Sequence, residues 1–135
     1  MEGLSPMHPD AERATRPEDL SRLSVERLND GDVNGLATLY EPDAVLALPG
    51  GQVATGPAQI RSAYQRLVAD GPFEPGTQLP TLRSGDLALT STRLANGIVT
   101  VEVARRQADG AWLWVIDQPN ITPQPEVPGS PSVTV

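Results

Sequence analysis

From Thr81 onward the chain alternates between apolar and polar side chains. That period of two predicts three strands between Thr81 and Asn120. Asn96-Gly97 and Asp109-Gly110 stand between them, dipeptides suited to the left-handed backbone of hairpin turns. Before Thr81 the period is close to that of a helix. Leu20, Leu23 and Leu28 predict a first helix, opening at Thr15-Arg16-Pro17-Glu18 with Thr15 as cap and closing at Asn29-Asp30-Gly31-Asp32. Val33, Leu36, Leu39 and Tyr40 share one side of a short second helix. Residues 44–49 read as a strand and 50–56 as a turn with a short strand. Ile60, Tyr64, Leu67 and Val68 then mark a third helix that begins at Gly56-Pro57. Residues 71–80 read as a loop.

Helices first and an antiparallel sheet last make an α+β domain. A curled sheet holding helices on its concave side leaves a pocket between the two layers. Its other face is free to meet a second copy of the chain. The domain is expected over residues 17–121, after a flexible leader at 1–16 and before a Pro-rich disordered tail at 122–135.

Charge and missing residue types narrow the chemistry. With 10 basic and 17 acidic residues the formal charge is −7, which argues against a nucleic-acid surface and against a polybasic membrane contact. No apolar run is long enough to span a bilayer, no charged-then-apolar leader is present, and the expected setting is the cytoplasm. The chain has no cysteine and no lysine, so thiolate nucleophiles, zinc–thiolate sites and Schiff bases are excluded. Its one histidine, His8, sits in the leader, away from any Ser-His-Asp arrangement. Neither metal nor cofactor is expected. Acid–base work falls to carboxylates, tyrosines, arginines and water.

Glu102 and Asp117 then stand out, each a carboxylate in a strand that otherwise reads as buried. With two-residue loops at both Gly turns, Arg93 lies opposite Thr100, Ser91 opposite Glu102, and Glu102 opposite Asp117. Ser91, Arg93, Thr100, Glu102 and Asp117 then form one polar cluster, with Leu113 and Val115 on the same face. Trp112, Trp114 and Ile116 take the other face with Val99, Val101 and Val103. Opposed carboxylates need solvent, a counter-ion such as Arg93, or a shared proton. The second turn also allows a three-residue loop, which sets Glu102 opposite Ile116. A solvated, ion-paired strand face fits the same residues, and Tyr40 and Tyr64 equally suit the edge of a core.

The stretches "NDGDVNGLATLYEPDAVLALPGG", "GPAQIRSAY" and "RRQADGAWLWVID" resemble the nuclear transport factor 2-like superfamily, and in particular its SnoaL-like and steroid-isomerase-like bacterial members, over residues 17–120. The resemblance implies a cystatin-like cone: three helices on a strongly curved, mixed but mostly antiparallel sheet enclosing a pocket, with dimers formed through the sheet's outer face. In steroid isomerases an aspartate base and a first-helix tyrosine act with a second acid. Here the base position falls on Leu48 and the tyrosine position on Ser24, so steroid isomerisation is not expected. The second acid falls on Glu102, a wall position on Asp117, and the supporting tyrosine pair on Tyr40 and Tyr64, which favours the register that opposes the two acids.

The expected function is a pocket for a small apolar ligand, polyketide- or terpenoid-like, with acid–base chemistry of the isomerase, cyclase or epoxide-hydrolase type carried by Asp117, Glu102 and Arg93. Tyr40, Leu48, Tyr64, Ser91, Val115 and Asn120 would line it. The alternative is a non-catalytic binding or dimeric accessory module.

Overall fold

The first helix, α1, spans Asp19–Asn29 and starts a turn later than its sequence suggested. The capping box from Thr15 to Glu18 does not form, because Glu18 itself takes helical backbone angles and makes no side-chain cap. The buried carboxylate of Asp19 replaces it, accepting the backbone N–H groups of Thr15 and Arg16, each at 3.2 Å. Leu20, Leu23 and Leu28 form the buried stripe of α1. The computed structural model describes residues 11–121, so His8, most of the expected leader and the expected tail lie outside the described residues. Within the described part the leader expectation fails over residues 12–16. Trp112 N–H donates to the Ala14 carbonyl at 2.9 Å, Arg27 reaches the Glu12 carbonyl, and Ala14 is buried.

Helix α2 is Val33–Ala37, capped by the Asp32 carboxylate, which accepts the Gly35 N–H at 2.9 Å. It ends before Tyr40, which opens strand β1 (Tyr40–Ala47) and does not belong to a helix. Strand β2 (Val53–Thr55) leads into α3 (Gly56–Leu67), where Gly56-Pro57 makes the start expected of it. A short β3 (Thr77–Gln78) lies inside the expected loop. The first of the three expected strands is two, β4 (Leu82–Ser84) and β5 (Leu87–Arg93), because Gly85-Asp86 turns the chain and pairs Ser84 with Leu87. Strands β6 (Val99–Arg106) and β7 (Trp112–Gln118) complete a seven-stranded sheet of order β2-β1-β7-β6-β5-β3, with β4 also on β5. Only β1 and β7 run parallel, so the sheet is mixed and mostly antiparallel, as expected for an α+β domain of this class.

Both hairpin turns close with three-residue loops. Leu94 N–H donates to Ile98 O at 2.8 Å around Ala95-Asn96-Gly97, and Gln107 N–H donates to Ala111 O at 2.7 Å around Ala108-Asp109-Gly110. Gly97 and Gly110 take φ of 89° and 90°, the left-handed region that such loops need at their last position. The first loop shifts β5 by one residue from the expected register: Thr90 faces Glu102 and Thr92 faces Thr100. The second gives Ala104 opposite Trp114, a register that alone would carry Glu102 to Ile116. A bulge at Val115 then adds one residue to β7, so Val103 faces Ile116 and Glu102 faces Asp117. The predicted pair forms, but through two shifts that cancel.

The bulge also decides the faces. Trp112 and Trp114 point inward with Asp117, a correction to their expected place on the face opposite the acids, because the extra residue lets positions 112, 114 and 117 share one side. The core joins both tryptophans to Leu20, Leu23, Leu39, Leu46 and Ile60. The opposite face leaves Leu82, Leu87, Leu89 and Ile116 between 41% and 67% exposed.

Candidate functional site

Four neighbouring strands each contribute one polar side chain to a row across the buried face. Tyr40 comes from β1, Asp117 from β7, Glu102 from β6 and Thr90 from β5. Glu102 and Asp117 are each only 5% exposed. Thr90 Oγ1 donates to Glu102 Oε1 at 2.7 Å, and Tyr40 donates its hydroxyl proton to Asp117 Oδ2 at 2.5 Å. Tyr64, on α3, extends the row beyond the sheet, its hydroxyl 2.5 Å from that of Tyr40. Because Tyr40 has a single proton and gives it to Asp117, Tyr64 donates in the second link.

Packing holds Tyr40 in that place. Its ring lies tilted between those of Trp114, at 5.2 Å between centroids, and Tyr64, at 6.2 Å. The backbone N–H of Trp114 donates to the carbonyl of Leu39, fixing the start of β1 beside β7. Asp117 faces Leu46 of β1 in the parallel register, so its carboxylate meets Tyr40 only because the tyrosine side chain is long enough to reach past the irregular stretch of β1 between Tyr40 and Val45.

Burial dominates the electrostatics. It pushes the Asp117 carboxyl up to about 7, with the charge of Glu102 adding to the effect and the Tyr40 hydroxyl opposing it. Glu102 is raised as well, again by burial first, against the hydroxyls of Thr100 and Thr90. Tyr40 is held well above its ordinary value by burial and then by the charge of Asp117, and Tyr64 is raised for the same two reasons. Both tyrosines therefore keep their protons at neutral pH and act as donors, while Asp117 can gain or lose a proton there.

The remaining candidates scatter. Arg93 is exposed on the opposite face of β5, where it faces Thr77 and Val99, and cannot bridge the two acids. The shift at the Asn96-Gly97 loop is the physical reason. Ser91 shares that outer face and gives its hydroxyl to the Thr100 carbonyl at 2.6 Å. Val115 is the half-buried bulge residue, and Asn120 is exposed beyond the end of β7. Leu48, half-buried, packs on the core as Tyr64 does, and lines a groove of about 390 Å³ between the β1–β2 connection and α3. Val53, Ala54, Ala63, Gln59 and Arg66 line the same groove. Thr90 is the partner that sequence reasoning missed; a three-residue loop at Asn96-Gly97 would have revealed it.

A family model described as a SnoaL-like domain matches residues 22–122. The chain belongs to that family. Solved structures agree on the fold of this SnoaL-like domain. A ketosteroid isomerase-like protein from Erwinia carotovora atroseptica superposes with a TM-score of 0.60 at 21% identity, over 78% of this chain and 94% of the other. An NTF2-like protein with a cystatin-like fold from Novosphingobium aromaticivorans gives 0.52 at 21% identity, over 73% and 75%. A protein assigned as a calcium/calmodulin-dependent protein kinase type II association domain, from Thiobacillus denitrificans, gives 0.65 at 16% identity, over 79% and 95%. Such identities show the shared fold alone. No curated protein matches the chain. Among the described residues no helix is long and apolar enough to cross a membrane.

Proposed function

We propose that this SnoaL-like domain binds a small, largely apolar molecule beside Asp117, Glu102, Tyr40 and Tyr64 and moves a proton on it. The observation that carries this is the buried Glu102–Asp117 opposition with Tyr40 hydrogen-bonded to Asp117. Two opposed carboxyls whose proton affinities are both raised by burial can supply an acceptor and a donor in one step. In this reading Asp117 takes a proton from carbon next to a carbonyl. Protonated Glu102 is the donor that stabilises the resulting enolate oxygen, as in an isomerase or cyclase, while Tyr64 and Tyr40 hold the Asp117 carboxylate through their hydrogen bonds. An epoxide-hydrolase arrangement is not part of the proposal, since Arg93 lies on the other face. The substrate class we favour is polyketide- or terpenoid-like, an apolar frame with oxygen groups, which suits the mixed lining of the groove beside α3, where Leu48, Val53 and Ala63 stand with Gln59, Ser62 and Arg66.

The test is a thermal-shift screen of steroids, aromatic polyketides, terpenes and epoxides at acid and neutral pH, with Asp117→Asn and Glu102→Gln beside the parent. A pH-dependent stabilisation that either substitution removes supports the proposal. The absence of any shift, with both variants as stable as the parent, would sink it.

A second reading has its own observation. Leu82, Leu87, Leu89 and Ile116 expose apolar surface on the outer face of the sheet, and Leu82, Leu89 and Val103 border a shallow hollow there. A second copy of the chain would cover it. A homodimer through this face accompanies the catalytic reading, and with no turnover it becomes a dimeric accessory module.

A further inference from the structure

The groove beside α3 carries a single charge in its lining, and that charge is positive. Positions 58, 59, 62, 63 and 66 share one face of α3 at the spacing that lines up along a helix. Ala58, Ser62 and Ala63 are small, so this face lies low, and about 390 Å³ opens between it and the β1–β2 connection. From Ala58 to Arg66 the groove follows the helix for about 12 Å, room for a two-ring frame. Val53 forms part of the opposite wall and stays 54% exposed, apolar surface that nothing in the chain covers. Gln59 is fixed at one end, its Oε1 accepting the Thr55 N–H at 2.8 Å, which leaves its amide N–H groups as donors.

Most of the arginines are engaged by the chain itself. Arg13, Arg16, Arg22, Arg83, Arg105 and Arg106 form ion pairs, and Arg27 donates to two backbone carbonyls. Arg61, Arg66 and Arg93 have no ion pair among the described residues, and of the three only Arg66 lines a groove. Asp70, four residues beyond Arg66, does not pair with it, and no carboxylate stands among the described lining residues.

We infer that this groove takes an organic acid, its apolar frame against Leu48, Val53 and Ala63 and its carboxylate on the Arg66 guanidinium. The guanidinium offers a fork of N–H donors that matches the two oxygens of a carboxylate. The inference rests on the groove being the ligand site proposed above and adds to that reading the charge of the ligand. The net charge of −7 opposes any anion, so affinity for one has to arise locally, at Arg66.

The test compares 2-naphthylacetic acid with 2-naphthylacetamide, alike in shape and different in charge, by calorimetric titration at about pH 7.5, where the carboxyl is ionised. The acid should bind about five- to tenfold tighter than the amide, and added salt should shrink that advantage. Arg66→Gln should make the two equal, and Arg66→Lys should keep part of the preference. Arg61→Gln, at the unpaired arginine of α3 that does not line the groove, should keep all of it. Ser62→Trp, at an exposed position, fills the groove and should lose both probes. Equal binding of acid and amide by the parent would overturn the inference and leave a site for neutral ligands. Arg66 would then serve only the carbonyl end of α3, where a cation is favoured. A preference that persists in Arg66→Gln, or that Arg61→Gln removes equally, would overturn it too, as would binding that survives Ser62→Trp. Binding of neither probe would remove the groove as a ligand site and the inference with it, leaving the Asp117 chemistry to its own test.

Discussion

Glu102 and Asp117 stand directly opposite one another on adjacent strands, each 5% exposed and each raised by burial above its ordinary value, Asp117 to about 7. Two like charges so placed oppose the folding of the sheet. The fold tolerates them because hydroxyls meet them from either side, Thr90 at Glu102 and Tyr40 at Asp117, and because burial raises the proton affinity of both.

That arrangement fixes the sign of a pH effect on stability. Asp117 has an ordinary value of 3.8 and a folded value of about 7, so the folded state holds the proton more tightly than the unfolded chain. Stability is highest below the unfolded value, falls as pH rises through that window, and stays low above it. The drop should be a few kcal/mol, on the order of three pKa units. Asp117→Asn should flatten the profile and melt higher than the parent above neutral pH. Melting temperature against pH checks it, and a parent profile that rises between pH 4 and 7 would contradict it.

Removing the Tyr40 hydroxyl should act in the other direction on the titration. That hydroxyl is the group that pulls the Asp117 proton affinity down, so Tyr40→Phe should raise the Asp117 midpoint above 7. It should also cost about 1–3 kcal/mol, the usual penalty for leaving a buried acceptor without its donor. Carboxyl titration and chemical denaturation read the two effects separately.

Arg93→Ala should leave melting temperature, the pH profile and any ligand shift unchanged. The side chain is exposed on the face opposite the acids. A changed pH profile would mean that the guanidinium reaches the site.

A charge placed on the outer face tests the dimer. Leu89→Glu replaces a side chain that is 41% exposed, so it should lower the melting temperature little and give a monomer by light scattering where the parent is a dimer. A monomeric parent would remove the dimer from the proposal.

Gly97 and Gly110 close their loops at φ near 90°, which an L side chain rarely adopts. Alanine at either position should destabilise by roughly 1 kcal/mol or more, because the strain falls on the folded state.

Much of this was legible in the sequence, and the failures have a common cause. Period and turn chemistry located α3, the β6–β7 hairpin and the order of elements, because those signals are local. Face and register are not local. The Ala95-Asn96-Gly97 loop moved Arg93 and Ser91 out of the cluster and brought in Thr90. At the second turn a three-residue loop and the Val115 bulge offset one another, so the Glu102–Asp117 pair came out as expected while Trp112 and Trp114 changed sides. A strand spacing of two and then three between inward positions was visible in "WLWVID", but strict alternation gives no reason to expect it. Tyr40 reads as helical in sequence because it continues the stripe of Leu36 and Leu39; its hydrogen bond to Asp117, 77 residues away, exists only in the folded chain.

The most direct test of the central claim is a carbon-13 titration of the Asp117 side-chain carboxyl in the parent and in Glu102→Gln. The account predicts a midpoint near 7 in the parent and a lower one in the variant, because the charge of Glu102 is one of the two influences that raise it. A midpoint at the ordinary aspartate value of 3.8, or one that Glu102→Gln leaves in place, would show two independent carboxylates and contradict it.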